Sequence, residues 1–205
     1  MSMERDAALL IVDMQNDFCP NGALPVPDGD RVVEPLNRAA GIFAAEGLPV
    51  LASRDWHPAV TRHFRQYGGS WPVHCVQGTP GAAFHPALRL PPGTVVVSKG
   101  GDPEQDGYSA FEAADEAGMP LARLLAELGV RRLYMGGLAT DYCVRSSALD
   151  ALRFGLGVTV LIDAIAGVDV TPGDSDRALE EMRQAGARFC TVSACTAGET
   201  PAPTP

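Results

Sequence analysis

Three side chains of complementary chemistry stand where apolar runs end. Asp13 closes the run Ala8–Val12, Lys99 follows Val95-Val96-Val97-Ser98, and Cys143 comes shortly after Val130–Met135. If these runs are parallel strands, all three residues fall at the carboxyl edge of one sheet, where open parallel sheets bind ligands. The stretch Gly136-Gly137-Leu138-Ala139-Thr140-Asp141-Tyr142 would deliver Cys143 to the start of a helix. There the helix dipole and a neighbouring ammonium lower a thiol's pKa. Asp13 could take the thiol proton and later give it to a leaving amine. The N–H groups of the loop could hold an oxyanion. Singly, each residue has a duller account: a lone cysteine is usually a small buried hydrophobe, and a strand-end Asp or Lys caps a loop or reaches solvent. Their joint placement at three strand ends is what favours chemistry.

A second constellation is Asp55-x-His57 with His63 and His74, three of the chain's four histidines within eighteen residues. One carboxylate and three imidazoles suit a borderline divalent ion such as Zn²⁺, Mn²⁺ or Fe²⁺. Loop histidines are otherwise simply solvated, and D-x-H alone is a weak signal. His85, in Phe84-His85-Pro86, reads as structural. Phe18 follows Asp13 in the first loop, and Trp71 precedes His74. A flat aromatic substrate could lie between such rings, although ordinary loop packing would also account for them.

Positioning these groups requires a sheet, and the pattern supplies one. Strand-like runs at Ala8–Val12, Leu48–Ser53, Thr94–Ser98, Val130–Met135, Val158–Ile162 and Ala187–Val192 alternate with helical patterns at Arg31–Glu46, Leu121–Leu128, Val144–Phe154 and Ser175–Ala185. Pro35 blurs the start of the first helix and Gly47 is placed to stop it. Such alternation implies right-handed βαβ crossovers and a mostly parallel sheet with helices on both faces. The His-, Trp-, Gly- and Pro-bearing stretch Asp55–Pro92 breaks the rhythm, and a loop that long is usually functional or disordered. Its histidines and tryptophans argue for functional.

The 205 residues are 46% hydrophobic and 20% charged, enough for one compact domain without a metal or disulfide staple. We read residues 1–195 as that domain and the Thr/Pro/Ala-rich 196–205 as a mobile tail. Sixteen basic residues against twenty-five acidic ones give −9, which disfavours nucleic-acid binding. No apolar stretch is long enough for a membrane span or built like a signal peptide, so the expected compartment is the cytoplasm. Five cysteines, an odd number without CxxC spacing, suggest reduced thiols rather than a disulfide framework.

Four segments carry a family resemblance: Ile11-Val12-Asp13-Met14-Gln15-Asn16-Asp17-Phe18, Asp55-Trp56-His57, Trp71-Pro72-Val73-His74-Cys75-Val76-Gln77-Gly78-Thr79-Pro80-Gly81 and Gly137-Leu138-Ala139-Thr140-Asp141-Tyr142-Cys143-Val144. They resemble the nicotinamidases of the isochorismatase-like hydrolase superfamily, over about Ala8 to Val192. The resemblance implies an α/β fold of three layers, a doubly wound, mostly parallel sheet with helices on both faces. It implies Asp13 as proton shuttle, Lys99 as electrostatic partner and Cys143 as nucleophile. It implies Asp55, His57, His63 and His74 as ligands of one divalent ion (Zn, Mn or Fe), and Phe18 and Trp71 as walls around a pyridine ring. A cis peptide between Leu138 and Ala139 would present the Ala139 N–H to the oxyanion beside that of Cys143. The implied reaction hydrolyses nicotinamide to nicotinate and ammonia through a thioester, with pyrazinamide-like analogues as further small-molecule substrates. No dinucleotide cofactor is implied, since no GxGxxG follows the first strand; a homo-oligomer is left open. The acidic segment Gly100–Gly107 departs from the family pattern and is expected to alter the pocket rim. Two rivals stand beside this reading: another amidohydrolase of the superfamily acting on a carbamoyl or ureido group, and a catalytically idle binding relative.

Overall fold

A computed structural model describes residues 4–196, so the tail from 197 onward lies outside the described residues. Its core is one six-stranded sheet in the order β3-β2-β1-β4-β5-β6, with every pairing parallel. The strands are β1 (Ala7–Val12), β2 (Val50–Asp55), β3 (Val95–Lys99), β4 (Arg132–Leu138), β5 (Gly157–Ala166) and β6 (Arg188–Cys190). All six residues of β1 are buried, as a central strand covered on both faces requires. Alternation divides them: Ala7, Leu9 and Ile11 join one core, and Ala8, Leu10 and Val12 the other.

The first core is closed by α1 (Val33–Ala45), which turns Leu36, Ala39, Ala40 and Phe43 to the sheet, and by the short α5 (Val192–Thr196). The opposite face carries α2 (Leu121–Glu127), α3 (Arg145–Arg153) and α4 (Asp174–Gln184), through Leu121, Leu125, Ala148, Ala151 and Met182. Three layers result, as expected. Pro35 is accommodated because it lies in the first turn of α1, where an amide N–H has no intrahelical partner to lose.

Several boundaries differ from the pattern reading. β4 continues to Leu138 and β5 to Ala166, because Gly137 and Leu138 pair with Ile165 and Ala166 beyond an irregularity in register. The expected loop before Cys143 is instead one wide helical turn, Thr140–Val144, in which the Val144 N–H donates to Ala139 O at 3.0 Å. The cysteine reading also needs correction. Cys190 and Cys195 form a disulfide, leaving Cys19, Cys75 and Cys143 free. β6 passes directly into α5, and this turn brings the two Cα atoms to 5.9 Å, within bridging range. Among the described residues no helix is long and apolar enough to cross a membrane.

The order of strands creates the site. From β1 the chain moves outward through β2 and β3, then returns to β4 on the other side of β1. The carboxyl ends of β1 and β4 therefore flank the switch point, where a parallel sheet leaves a crevice. The register pairs Asp55 with Lys99 and Val12 with Gly137, which brings four strand ends to one edge. The stretch between β2 and β3 folds over that edge with two single helical turns, Arg65–Tyr67 and Pro80–Ala82, and isolated bridges His57–Val76 and Phe64–Trp71. Phe64, fully buried, anchors it.

Candidate active site

Asp13 follows β1 with φ +46 and is fully buried. Ser53 of β2 donates its hydroxyl to Asp13 Oδ1 at 2.7 Å. On the other oxygen, Lys99 Nζ lies 2.8 Å from Asp13 Oδ2. The same ammonium contacts Asp55 Oδ1, donates to Gly107 O at 2.9 Å and reaches Cys143 Sγ at 3.4 Å. Lys99 is 1% exposed, so one buried cation is shared by two buried carboxylates and a thiol.

Burial and charge set the protonation of this cluster. Burial opposes the charge on Lys99, but Asp13 and Asp55 outweigh it and hold the ammonium well above the ordinary lysine range. Asp55 is also buried, yet Lys99 and the neighbouring His57 and His74 keep its carboxyl below the usual range. Asp13 goes the other way: burial raises it despite the pull of Lys99. Cys143 is pushed well above a normal thiol by burial, with Asp13 and Asp55 adding to the rise against Lys99. This corrects the sequence argument, which expected an acidified thiol. Burial of the sulfur, with Asp13 and Asp55 beside it, outweighs the shared lysine, and Cys143 sits well inside the wide turn rather than at its first N–H. The resting sulfur therefore holds its proton. Asp13, raised by burial, has a carboxylate oxygen within 4.8 Å of that sulfur.

Beyond Asp55 the three histidines converge. Their ring centroids lie 4.6 Å (His57–His63), 5.3 Å (His57–His74) and 5.3 Å (His63–His74) apart, and each ring offers a ligand atom within 4.8 Å of the others. Asp55 Oδ2 is 3.6 Å from His57 Nε2 and 3.9 Å from His74 Nε2. Every Nδ1 is occupied: His57 faces Gly100 O at 3.0 Å, His63 faces Asp106 Oδ1 at 2.8 Å, and His74 faces Pro72 O at 2.8 Å. Each acceptor fixes the proton on Nδ1 and leaves Nε2 bare. His57 Nε2 is buried with no hydrogen-bond partner, an orphan that a protein interior rarely tolerates without a ligand. Burial lowers His63 and brings His74 down to about 4, so both stay neutral, as ligands must. The donor set fits a divalent ion held by three imidazoles and one carboxylate oxygen.

Between the two clusters opens a cleft of about 380 Å³, mouth included, with Cys143, Asp55, His63 and His74 at its polar end. Phe18 packs against the His74 ring at 5.5 Å. Trp71 stands opposite, edge-on to Tyr142 at 4.9 Å and donating its indole N–H to Tyr108 Oη at 2.8 Å. The peptide Leu138–Ala139 is cis, and Ala139 lines the cleft beside Cys143 while Leu138 is buried behind it.

Residues 7–194 match the model of the isochorismatase domain. The chain belongs to the isochorismatase domain family. Within that family it is 41% identical over 202 residues to the nicotinamidase of Escherichia coli, covering 91% of this chain and 95% of that one. It is 45% identical over 192 residues to the nicotinamidase/pyrazinamidase of Mycobacterium tuberculosis, covering 91% and 99%. A solved structure of Pyrococcus horikoshii pyrazinamidase in complex with zinc superposes with a TM-score of 0.84 at 46% identity, covering 91% and 99%.

In this isochorismatase-domain protein, Phe18, Asp55, His63, Trp71, His74, Ala139 and Cys143 line the cleft, and Asp13, Lys99 and His57 are buried next to them. His85 lies apart, its Nδ1 accepting the Ala87 N–H at 3.2 Å. Sequence reasoning missed three supports. Ser53 sits in a strand whose facing is set only by register. Gln15 clamps the end of β2, donating to Asp55 O at 2.8 Å and accepting the Asp55 N–H at 2.7 Å. Asp106 was noticed only as part of an acidic segment, since nothing in its spacing points to His63.

Proposed function

We propose that this chain is a nicotinamidase, a single-domain amidohydrolase that converts nicotinamide to nicotinate and ammonia, with pyrazinamide-like amides as alternative substrates. The observation that carries the reading is the shared Asp55. It joins an Asp–Lys–Cys cluster to a three-histidine cluster beside one cleft walled by aromatic rings. Metal-free amidohydrolase action on a ureido group would leave three buried imidazoles without a purpose. The named activities of the relatives support the same reading.

The residues act in order. Phe18 and Trp71 bracket the ring, and the cleft floor sets the amide carbon against Cys143 Sγ. As sulfur attacks, its proton passes to Asp13, and the carbonyl oxygen becomes an oxyanion taken by the N–H groups of Ala139 and Cys143. Lys99 balances the negative charge that builds on sulfur and carboxylate. Asp13 then gives its proton to the departing nitrogen, ammonia leaves, and a thioester remains on Cys143. Water enters, loses a proton to Asp13, and attacks the thioester; nicotinate leaves and the proton returns to sulfur. Asp55, His57, His63 and His74 would hold a divalent ion, whose contribution is a Lewis-acidic anchor for the ring nitrogen that fixes the attack geometry. We place this activity in NAD salvage in the cytoplasm.

The test is ammonia release from nicotinamide by purified protein, before and after chelation and after return of Zn²⁺, Mn²⁺ or Fe²⁺. Turnover that chelation abolishes and a metal restores is the expected result. Full activity after metal removal would leave a cysteine hydrolase without a metal anchor. Turnover of ureido substrates but not nicotinamide would favour the rival.

A further inference from the structure

The segment Gly100–Gly107 follows β3 and carries Asp102, Glu104 and Asp106, none of which the proposed reaction uses. Its path is pinched at both ends. Gly100 and Gly107 both have φ +71; a Cβ on Gly100 would lie 2.4 Å from the His57 ring, and one on Gly107 would lie 2.6 Å from Gly100 N. Only glycine allows this neck, and it rests directly on a histidine of the three-imidazole cluster.

From the neck, Gly100 O faces His57 Nδ1 at 3.0 Å and Gly107 O accepts from Lys99 Nζ at 2.9 Å. From the body of the loop, Pro103 O accepts the Arg62 N–H and the Thr61 hydroxyl, both at 3.0 Å. Thr61 Oγ1 in turn accepts the His63 N–H at 3.2 Å. Glu104 lies 3.7 Å from the Arg62 guanidinium, and Asp102 is engaged within the loop by Glu104 N and Gln105 Nε2. Finally, Asp106 Oδ1 meets His63 Nδ1 at 2.8 Å. The loop therefore grips His63 through its backbone and its ring at once.

We propose that Asp106 is the positioning residue for His63, and that through it the Gly100–Gly107 loop sets how tightly the site retains its divalent ion. The inference rests on the metal reading given above. His57 and His74 lean on neutral carbonyl oxygens, whereas His63 leans on a carboxylate. A carboxylate behind the ring locks the tautomer with Nε2 bare, holds the ring plane and makes that nitrogen a stronger donor. Asp106 touches neither substrate nor sulfur, and its side chain is 53% exposed, so it contributes little to the folded core.

The experiment compares metal-stripped wild type, Asp106→Ala, Asp106→Asn and Glu104→Ala by competition for Zn²⁺ against a chromophoric chelator, with thermal melts of each metal-free protein. Wild type should bind one equivalent. Asp106→Ala should bind about 10- to 100-fold more weakly, the range for losing such an outer partner. Asp106→Asn should recover part of that loss, because its amide oxygen still accepts the Nδ1 proton. Glu104→Ala should match wild type, and all four metal-free melting temperatures should agree. Zn²⁺ affinity of Asp106→Ala equal to wild type overturns the proposal while leaving the metal reading intact. A loss of affinity matched by a lower metal-free melting temperature also overturns it, because the residue would then be supporting the fold. Wild type that binds no Zn²⁺ defeats the metal reading itself, and this inference with it.

Discussion

Replacing Lys99 with Met keeps the side chain's length and removes the one cation inside the cluster. The wild-type ammonium lies 2.8 Å from Asp13, contacts Asp55 and is 1% exposed. Taking one partner out of a buried ion pair costs about 3–5 kcal/mol. For a domain of this size, at roughly 2–4 °C per kcal/mol, that corresponds to roughly 6–20 °C in melting temperature. The cost has a pH signature. Asp13 is already raised by burial despite Lys99, so without the lysine its folded pKa rises further above the unfolded value. An acid raised in the folded state loses stability as pH climbs through its folded pKa, so Lys99→Met should be penalised more at pH 8 than at pH 5.5. A protonated Asp13 can no longer accept the thiol proton, and turnover should fall by about 10²- to 10⁴-fold. Urea unfolding of metal-free protein at both pH values, with ammonia release from the metal-loaded enzyme, measures each part. A folded Lys99→Met protein with turnover within tenfold of wild type and no pH-dependent penalty would refute the shared-cation argument.

Asp13→Asn should lower turnover by a similar factor of about 10²–10⁴ while the protein still folds and keeps its metal; near-normal ammonia release would remove Asp13 as proton carrier. Cys143→Ala should abolish turnover, and in wild type iodoacetamide should modify Cys143 before the core residues Cys19 and Cys75; peptide mapping that finds either of those labelled first, with activity lost, would reassign the nucleophile. In the metal-free protein, His74 at about 4 refuses a proton that the unfolded chain accepts near 6.5. Stability should therefore fall as pH drops from 6.5 to 4, by roughly 3 kcal/mol, and His74→Asn should lose that slope in urea titrations. Gly100→Ala would place a methyl 2.4 Å from the His57 ring at φ +71, and should weaken metal binding measured by chelator competition; unchanged affinity would show that the neck is looser than its contacts imply.

Much of this protein is written locally. Val, Ile, Leu and Ala runs ending in Asp13 and Lys99 mark strands because a central parallel strand is buried on both faces and needs apolar residues throughout. The alternation of strands with helical patterns constrains the topology, and it brings the strand ends to one edge. The types of Asp55, His57, His63 and His74 already narrow the chemistry open to that stretch, because one carboxylate and three imidazoles are donors suited to a borderline divalent ion. What the sequence could not supply is distance. Cys143 was expected to be acidified by a helix start and a nearby lysine, but the fold buries its sulfur and sets Asp13 and Asp55 beside it, and burial and Coulomb interactions depend on position in space, whatever the separation along the chain. The disulfide between Cys190 and Cys195 depends on how β6 turns into α5. The wide turn at Thr140–Val144 depends on where β4 must deliver its last residue. Ser53, Gln15 and Asp106 are ordinary polar residues until register and loop closure aim them at Asp13, Asp55 and His63. Residue type determined what chemistry was available; packing of distant segments decided which groups meet around Lys99 and which imidazoles converge, because those interactions decay within a few ångströms.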